Sequence, residues 1–560
     1  MKMVKSLLLG SAAGLLAMSG AQAADLPVKA KAVEYVRICS LYGAGFFYIP
    51  GTDTCIKLGG YLRADLTING AIYDGPFWNG EGAIRDRYAN FYNDRSRLAL
   101  TIDTRTATEY GVVRTFGQAD FQFSTFGATS SIGTAAAVFP SASVGQVNND
   151  TAGNGYTAVE MVFIQFAGFT FGKSASAFST PWHGYPGNNS SFLIGGFDTV
   201  TGINNVQYTW QFGNGVSATL GVDDSSANAF NRTQILNTVG GAAGGSIGAT
   251  GAATAFVTGV GTAYGGTSAP DIVGNVRVDQ AWGLFQISGA LHDNHAGYFQ
   301  NTNGPSTALG GASQVGAIAN GHPDDKWGGA VSAALQIKNI PTGPGDDIKM
   351  DATWSLGASK YVLATSSPTP SAFDILNSNK LAMGVTTDSI YSGQSGINGT
   401  VFNGNNLTQQ QLTRGWGFRG AFNHNWDPYW STSLFGGIAG LSYNSTAKTL
   451  YCNAYSSTAG IAIGGTNNVT TGAAANPAGF LAGSTCDPGF TIGMVGLVTR
   501  WTPVKNLTFS AEVLYANLHT NMKGAANFPT PSTALPLPAG VYTFGDNGTT
   551  SLNLRVQRNF

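Results

Sequence analysis

The chain has 560 residues with 29 Lys+Arg against 30 Asp+Glu, and only 11% of it is charged, under half of the ~25% usual for a soluble domain. The near-neutral balance excludes a basic nucleic-acid stripe, and 32 Phe, 21 Tyr and 10 Trp exclude an acidic disordered chain. The 77 glycines are about twice the ~7% average, and the only long apolar run lies at the N-terminus, which excludes a helical membrane protein.

Residues 1–23 read as a secretory signal peptide. Lys2 and Lys5 form the positive region, an apolar stretch runs from Leu7 to Met18, and Ala21-Gln22-Ala23 is the cleavage site. The exported chain then begins at Ala24, with an N-terminal segment over 24–54. It carries four cysteines: Cys39 and Cys55 early, Cys452 and Cys486 late. An even count in an exported protein points to disulfides. Local pairing, Cys39 with Cys55 and Cys452 with Cys486, is the simplest of the three connectivities.

Period-two alternation then recurs along the chain. In 55–68, Ile56, Leu58, Leu62, Ala64, Leu66 and Ile68 share one face, while Lys57, Tyr61, Arg63, Asp65 and Thr67 share the other. The same pattern predicts strands at 95–105, 109–123, 157–166, 169–178, 203–212, 216–222 and 271–280. Further strands follow at 283–292, 326–338, 348–361, 415–425, 430–443, 490–501, 507–518 and 549–560. The connections alternate long and short. Short ones include Ala167-Gly168 and Gly213-Asn214-Gly215; long ones include 124–156, 223–270, 293–325, 362–414, 444–489 and 519–548. A transmembrane antiparallel β-barrel of sixteen strands over 55–560 accounts for this, with short periplasmic turns, long outer loops, and strands apolar outside and polar inside. The low charge has the same cause, since a lipid-facing Lys or Arg costs about 2–4 kcal/mol at mid-bilayer.

The segment Val33-Glu34-Tyr35-Val36-Arg37-Ile38-Cys39, continuing through Tyr42-Gly43-Ala44-Gly45-Phe46-Phe47-Tyr48-Ile49-Pro50-Gly51-Thr52 to Cys55, resembles the N-terminus of the alphaproteobacterial porins of rhizobial and Brucella-type bacteria. The terminal Phe560 resembles the C-terminal aromatic assembly signal of outer-membrane barrels. The resemblance implies an all-β, trimeric, sixteen-stranded porin of the Gram-negative outer membrane, with its third loop folded into the lumen. It also implies local Cys39–Cys55 pairing. Its partners would be outer-membrane lipid and lipopolysaccharide, the barrel-assembly machinery, two further copies of itself, and small hydrophilic solutes; no cofactor and no nucleic acid are expected.

Two constellations are candidates for the working parts. Arg63, Arg97 and Arg114 lie on the polar faces of three consecutive strands, and Lys57 and Arg277 extend the row; charges in a narrow lumen bias ion entry. The third long loop, 179–202, holds Trp182, Tyr185, Phe192, Leu193, Ile194 and Phe197, with Asp198 as its one acid. That apolar content suits a loop packed on the inner wall. Catalytic patterns fail. His292-Asp293-Asn294-His295 enters a long loop with no third ligand nearby in sequence, so it reads as a polar rim and not a metal site. Gly172-Lys173-Ser174 lacks the first glycine of a phosphate loop. The expectation is a water-filled channel for passive diffusion, with a barrel lipase or protease, or an exported adhesin-like β protein, as the alternatives.

Overall fold

The computed structural model describes residues 37–70, 92–124, 156–182, 184–198, 200–226, 233–238, 263–299, 321–363, 372–392, 408–459, 462–463, 469–471, 479–528 and 540–560. The proposed signal peptide lies outside the described residues. Sixteen strands form the wall: β1 (Thr54–Ile68), β2 (Tyr92–Thr108), β3 (Gly111–Ser124), β4 (Tyr156–Phe166), β5 (Phe169–Ser174), β6 (Ile203–Gly213), β7 (Val216–Asp223) and β8 (Asp271–Gln280). They continue as β9 (Gly283–Asn294), β10 (Lys326–Lys338), β11 (Asp347–Leu356), β12 (Arg414–Asn425), β13 (Trp430–Ser442), β14 (Phe490–Val504), β15 (Leu507–Thr520) and β16 (Asn547–Asn559).

Each strand pairs antiparallel with the next, and β16 returns to β1 with Leu66 opposite Leu554 and Arg63 opposite Gln557. Beyond the last ladder pair, Phe560 N donates to Gly60 O at 3.1 Å and Gly60 N to Phe560 O at 3.3 Å. The sheet is therefore closed and has no unpaired edge, as a sheet in hydrocarbon must. The outward faces are apolar and exposed, as at Leu58, Leu62, Phe121, Ile164, Val276, Ile287, Leu434 and Leu497. Exposed Trp282, Trp426, Tyr429 and Trp501 lie at the short-turn end, and exposed Trp327, Trp354 and Trp416 at the long-loop end. These are the two aromatic girdles of a membrane barrel. The Ala167-Gly168 turn has both residues at positive φ, +49° and +89°, as a two-residue hairpin of matching twist requires.

Two predicted strands are too long. The strand predicted at 169–178 ends at Ser174, where the chain leaves the wall and buries Phe178. The strand predicted at 348–361 ends at Leu356: Gly357 turns the chain at φ +62°, and a helical turn, Lys360–Leu363, is buried inside the barrel mouth.

The outer loops are built, not extended. The hairpin Ala372–Asn377 and Lys380–Val385 joins Gly540–Phe544, Ala525–Phe528 and Gly479–Phe480 in a five-stranded sheet from three different loops. Its Phe373, Ile375, Leu381 and Met383 pack with Phe490, Ile492, Leu514 and Leu518 of β14 and β15. The inner faces there are apolar, a departure from the polar interior that the alternation predicts, because a loop and not water covers them. Disulfides join Cys39 to Cys55 and Cys452 to Cys486, with Cα atoms 6.1 and 5.9 Å apart. The second ties helix α1 (Ser445–Ala459) to the segment entering β14.

Gly60 sits at φ +150°, and a Cβ there would lie 2.0 Å from Ala99 O. Gly60→Ala should therefore strain the closing seam by about 1–3 kcal/mol. The measurement is the temperature at which the folded, fast-migrating band is lost from unboiled gels, which should fall.

Candidate functional site: the lumen and its inward loop

The third loop leaves β5 at Ser174 and crosses the lumen to the far wall before returning to β6. At its tip, the backbone N–H groups of Asn189 and Ser190 donate to Glu512 on β15. Arg555 of β16 donates to Asn189 O at 2.7 Å, and Arg500 of β14 to Asn189 Oδ1 at 3.2 Å and to Gly187 O. Further along, Phe192, Leu193 and Ile194 are buried with Phe435 and Ala439, whose side chains face inward from β13. Gly195 and Gly196 then touch the wall. A Cβ on Gly196 would lie 2.0 Å from Asp351 Oδ2, one on Gly417 2.6 Å from Gly195, and one on Gly437 2.2 Å from Ile194 O. Glycines on both partners let two backbones meet.

One buried arginine fixes that contact. Arg419 on β12 is fully buried. Its Nε donates to both carboxylate oxygens of Asp351 at 2.9 and 3.0 Å, and Nη2 donates to Phe197 O at 3.0 Å. Nη1 lies 3.5 Å from Asp198 Oδ2. Asp198 is thus drawn into the wall at 2% exposure. It is not the acid facing the open lumen that the sequence suggests.

The predicted basic row is divided. Arg63 and Arg97 are direct cross-strand partners, but Arg114 sits opposite Arg105, eight residues nearer the turn than Gln122, the partner of Arg97. That is about 27 Å along the strand at ~3.4 Å per residue, so the three arginines do not share one stretch of wall. Arg97 is buried against Asp120 at 2.7 Å and Glu160 at 3.5 Å. Arg63 donates to Gln557 at 2.9 Å and lies over the Tyr61 ring. Lys57 is exposed near the periplasmic end, beside Phe46 of the disulfide-closed segment. Arg114 is held by Asp103 at 3.0 Å, and Arg277 by Asp279 at 2.9 Å.

The open space lies on the other side of the loop. A cavity of about 700 Å³ runs along the inner faces of β3 to β9. It is lined by Arg114, Arg277, Gln165, Gln207, Asn275 and Gln286, with Ser176, Ser179 and Thr180 from the root of the inward loop. The structure brings Arg114 and Arg277 to this lining and leaves Lys57, Arg63, Arg97 and Asp198 off it.

The sequence profile of the Porin subfamily matches residues 25–536. The chain belongs to this porin family. Among its relatives are the porins Omp2b of Brucella suis biovar 1 (strain 1330) and Brucella abortus (strain 2308), each 36% identical over 230 residues, 40% of this chain and 55% of the relative. The match therefore spans about half the length of these relatives. Among solved structures, the outer-membrane channel DcaP of Acinetobacter baumannii is 12% identical with a TM-score of 0.49, covering 92% of this chain and 99% of that one. An anion-selective porin from Comamonas acidovorans is 8% identical with a TM-score of 0.38, covering 90% and 100%. The porin resides in the outer membrane, with its apolar belt and two aromatic girdles in the bilayer.

Sequence reasoning about the porin missed several lumen charges. Arg95 and Arg555 both bind Asp65, and share its inward face; the same alternation that marks Arg97 marks Arg95 two residues away. Lys360 carried no such signal, because its inward position depends on the helical turn. It is fully buried, 3.1 Å from Asp271, whose other oxygen meets His292 Nδ1 at 2.6 Å. The Tyr361 hydroxyl donates to the same Asp271 at 2.6 Å, and Tyr264 bridges His292 to Asp388. Burial pulls the Lys360 ammonium below its ordinary value, with Asp271 and Asp223 opposing. His292 therefore serves a buried network and does not pair with His295.

Arg419→Ala would leave Asp351 and Asp198 buried together without their cation, at a cost of about 3–5 kcal/mol. The inward loop should then come free of the wall. Chymotrypsin should cut after Phe192 or Phe197 in the folded variant and leave the parent barrel intact, as read by mass spectrometry.

Proposed function

We propose that the protein forms a water-filled channel for passive diffusion of small hydrophilic solutes and ions across the outer membrane. The observation that carries this is the cavity of about 700 Å³, with Arg114, Arg277 and several Gln, Asn, Ser and Thr side chains on its wall, left beside the inward loop of a closed barrel of the porin family. No chemistry is required of it. The inward loop sets the width, and the lining charges set the field in which ions move. The paired state of the arginines bears on selectivity. Arg97 faces Asp120 and Glu160, so its charge is largely cancelled locally, whereas Arg114 and Arg277 meet the cavity itself. We assign the constriction to 175–202 and the selectivity to Arg114 and Arg277, with Arg63 contributing from the adjacent wall. The working unit is a homotrimer, assembled with lipid and lipopolysaccharide around it. Phe560 is the signal read by the barrel-assembly machinery, which suits its exposed ring at the end of the closing strand. A barrel enzyme or an adhesin is the weaker reading, since neither explains a loop docked across the lumen.

Planar-bilayer recording under a KCl gradient tests the proposal, and discrete conductance steps are expected. Replacing Arg114 and Arg277 together with Ser removes two cations from the cavity wall, while Asp103 keeps Arg105 and Asp279 keeps Lys338 as partners; the cation-to-anion permeability ratio should rise. An unchanged reversal potential would remove both from the selectivity site. Deleting 188–194 takes out the loop tip without any charged residue. Conductance should increase with a smaller change in selectivity.

A further inference from the structure

The segment His292-Asp293-Asn294-His295 lacks a third metal ligand nearby in sequence, but the barrel supplies one. On β9, residues of odd number face outward, as exposed Phe285, Ile287 and Leu291 demonstrate. Asp293 follows them and pairs with Trp327 of β10, another exposed outward side chain. Continuing that register by two residues places His295 opposite Asp325. The side chains meet accordingly: His295 Nδ1 is 2.9 Å from Asp325 Oδ2. One ligand atom each from Asp293, His295 and Asp325 lies within 4.8 Å of the other two.

Asp293 supplies the independent sign of a missing ligand. It is 8% exposed, and its Oδ1 is buried with no hydrogen-bond donor among the described residues. Its Oδ2 accepts from the Ser268 hydroxyl of the preceding outer loop, the type of support that orients a metal-binding carboxylate. The nearby cation, Lys326, is turned away, donating to Gln410 O at 2.7 Å. We propose that Asp293, His295 and Asp325 bind a divalent first-row cation such as Zn²⁺ on the outer rim of the barrel, just beyond the outer girdle. One imidazole and two carboxylates are suitable donors for such an ion. Two ligands at ~2.1 Å from a tetrahedral Zn²⁺ sit about 3.4 Å apart, so the present spacings need only small side-chain movements to seat it. The three ligands span the two ends of the loop between β9 and β10. The bound ion clips that loop closed at its base and leaves a coordination position for water or an outside anion.

The test uses the full-length refolded barrel, stripped with EDTA and titrated with Zn²⁺ against a chromogenic chelator. The parent should bind one Zn²⁺ per chain saturably. His295→Ala and Asp325→Asn should each weaken that site at least tenfold. His519→Ala, which removes an exposed His–Asp pair elsewhere on the rim, should leave it unchanged. Equal binding by the parent and the two site variants, or no saturable site in the parent, overturns the proposal. A second measurement needs no mutation. Zn²⁺ should protect His295 from diethyl pyrocarbonate, read by peptide mass spectrometry, and modification at the same rate with and without Zn²⁺ also overturns it.

Discussion

Every backbone N–H and C=O in hydrocarbon needs a partner within the protein, and this requirement governs the whole molecule. A sheet meets it only by closing, so β16 must find β1 at a fixed register. Gly60 and Phe560 complete the seam with two more backbone hydrogen bonds. Once the sheet is closed, the pleat assigns each side chain to lipid or lumen, and the low charge content, the outward aliphatic residues and the two aromatic girdles follow from that assignment. The charges that remain are forced inward. There they meet one another at close range in a space with little water, which is why Asp65 is shared by Arg95 and Arg555 and Asp120 is held by Arg97.

The lumen is asymmetric, and the asymmetry has a local cause. The inward loop docks on β12 to β16 through Gly195 and Gly196 against Gly417 and Gly437, with Arg419 closing over Asp351 and Asp198. Buried charge pairs are costly to form and costlier to break, so this network favours a single position for the loop over a range of positions. The hairpin 372–385 covers the upper inner faces of β14 and β15 on the same side. The side of the barrel formed by β12 to β16 is therefore covered by its own loops, and the open space remains against β3 to β9. A barrel of this size with a polar lining throughout would be a wider pore.

The buried group of Lys360, Asp271, His292 and Tyr361 does for the upper lumen what Arg419 does lower down. Each network joins a loop to a strand wall by a cation shared among acids. Neither cation is on the cavity lining, so both hold loops in place instead of meeting the solute. Cysteine chemistry adds to this outside the membrane. One disulfide closes the segment before β1, and the other anchors α1 beside β14.

The sequence by itself determined the sixteen strands, their antiparallel order, the side of the long loops, and the face to which each alternating residue belongs. Those features depend on a period of two and on turn residues, which are local. It also marked 179–202 as unlike an exposed loop, because Phe192, Leu193 and Ile194 have no use in water. Only the tertiary structure decided which charges are cancelled. Asp198 and Arg419 are far apart in the chain, and their meeting depends on where the loop crosses. The row of Arg63, Arg97 and Arg114 was legible as one face but not as two levels, since the stagger of neighbouring strands is set by their pairing and not by residue type. The apolar inner faces of β14 and β15 have the same origin: alternation records burial, and only a three-dimensional arrangement distinguishes burial against lipid from burial under a folded loop.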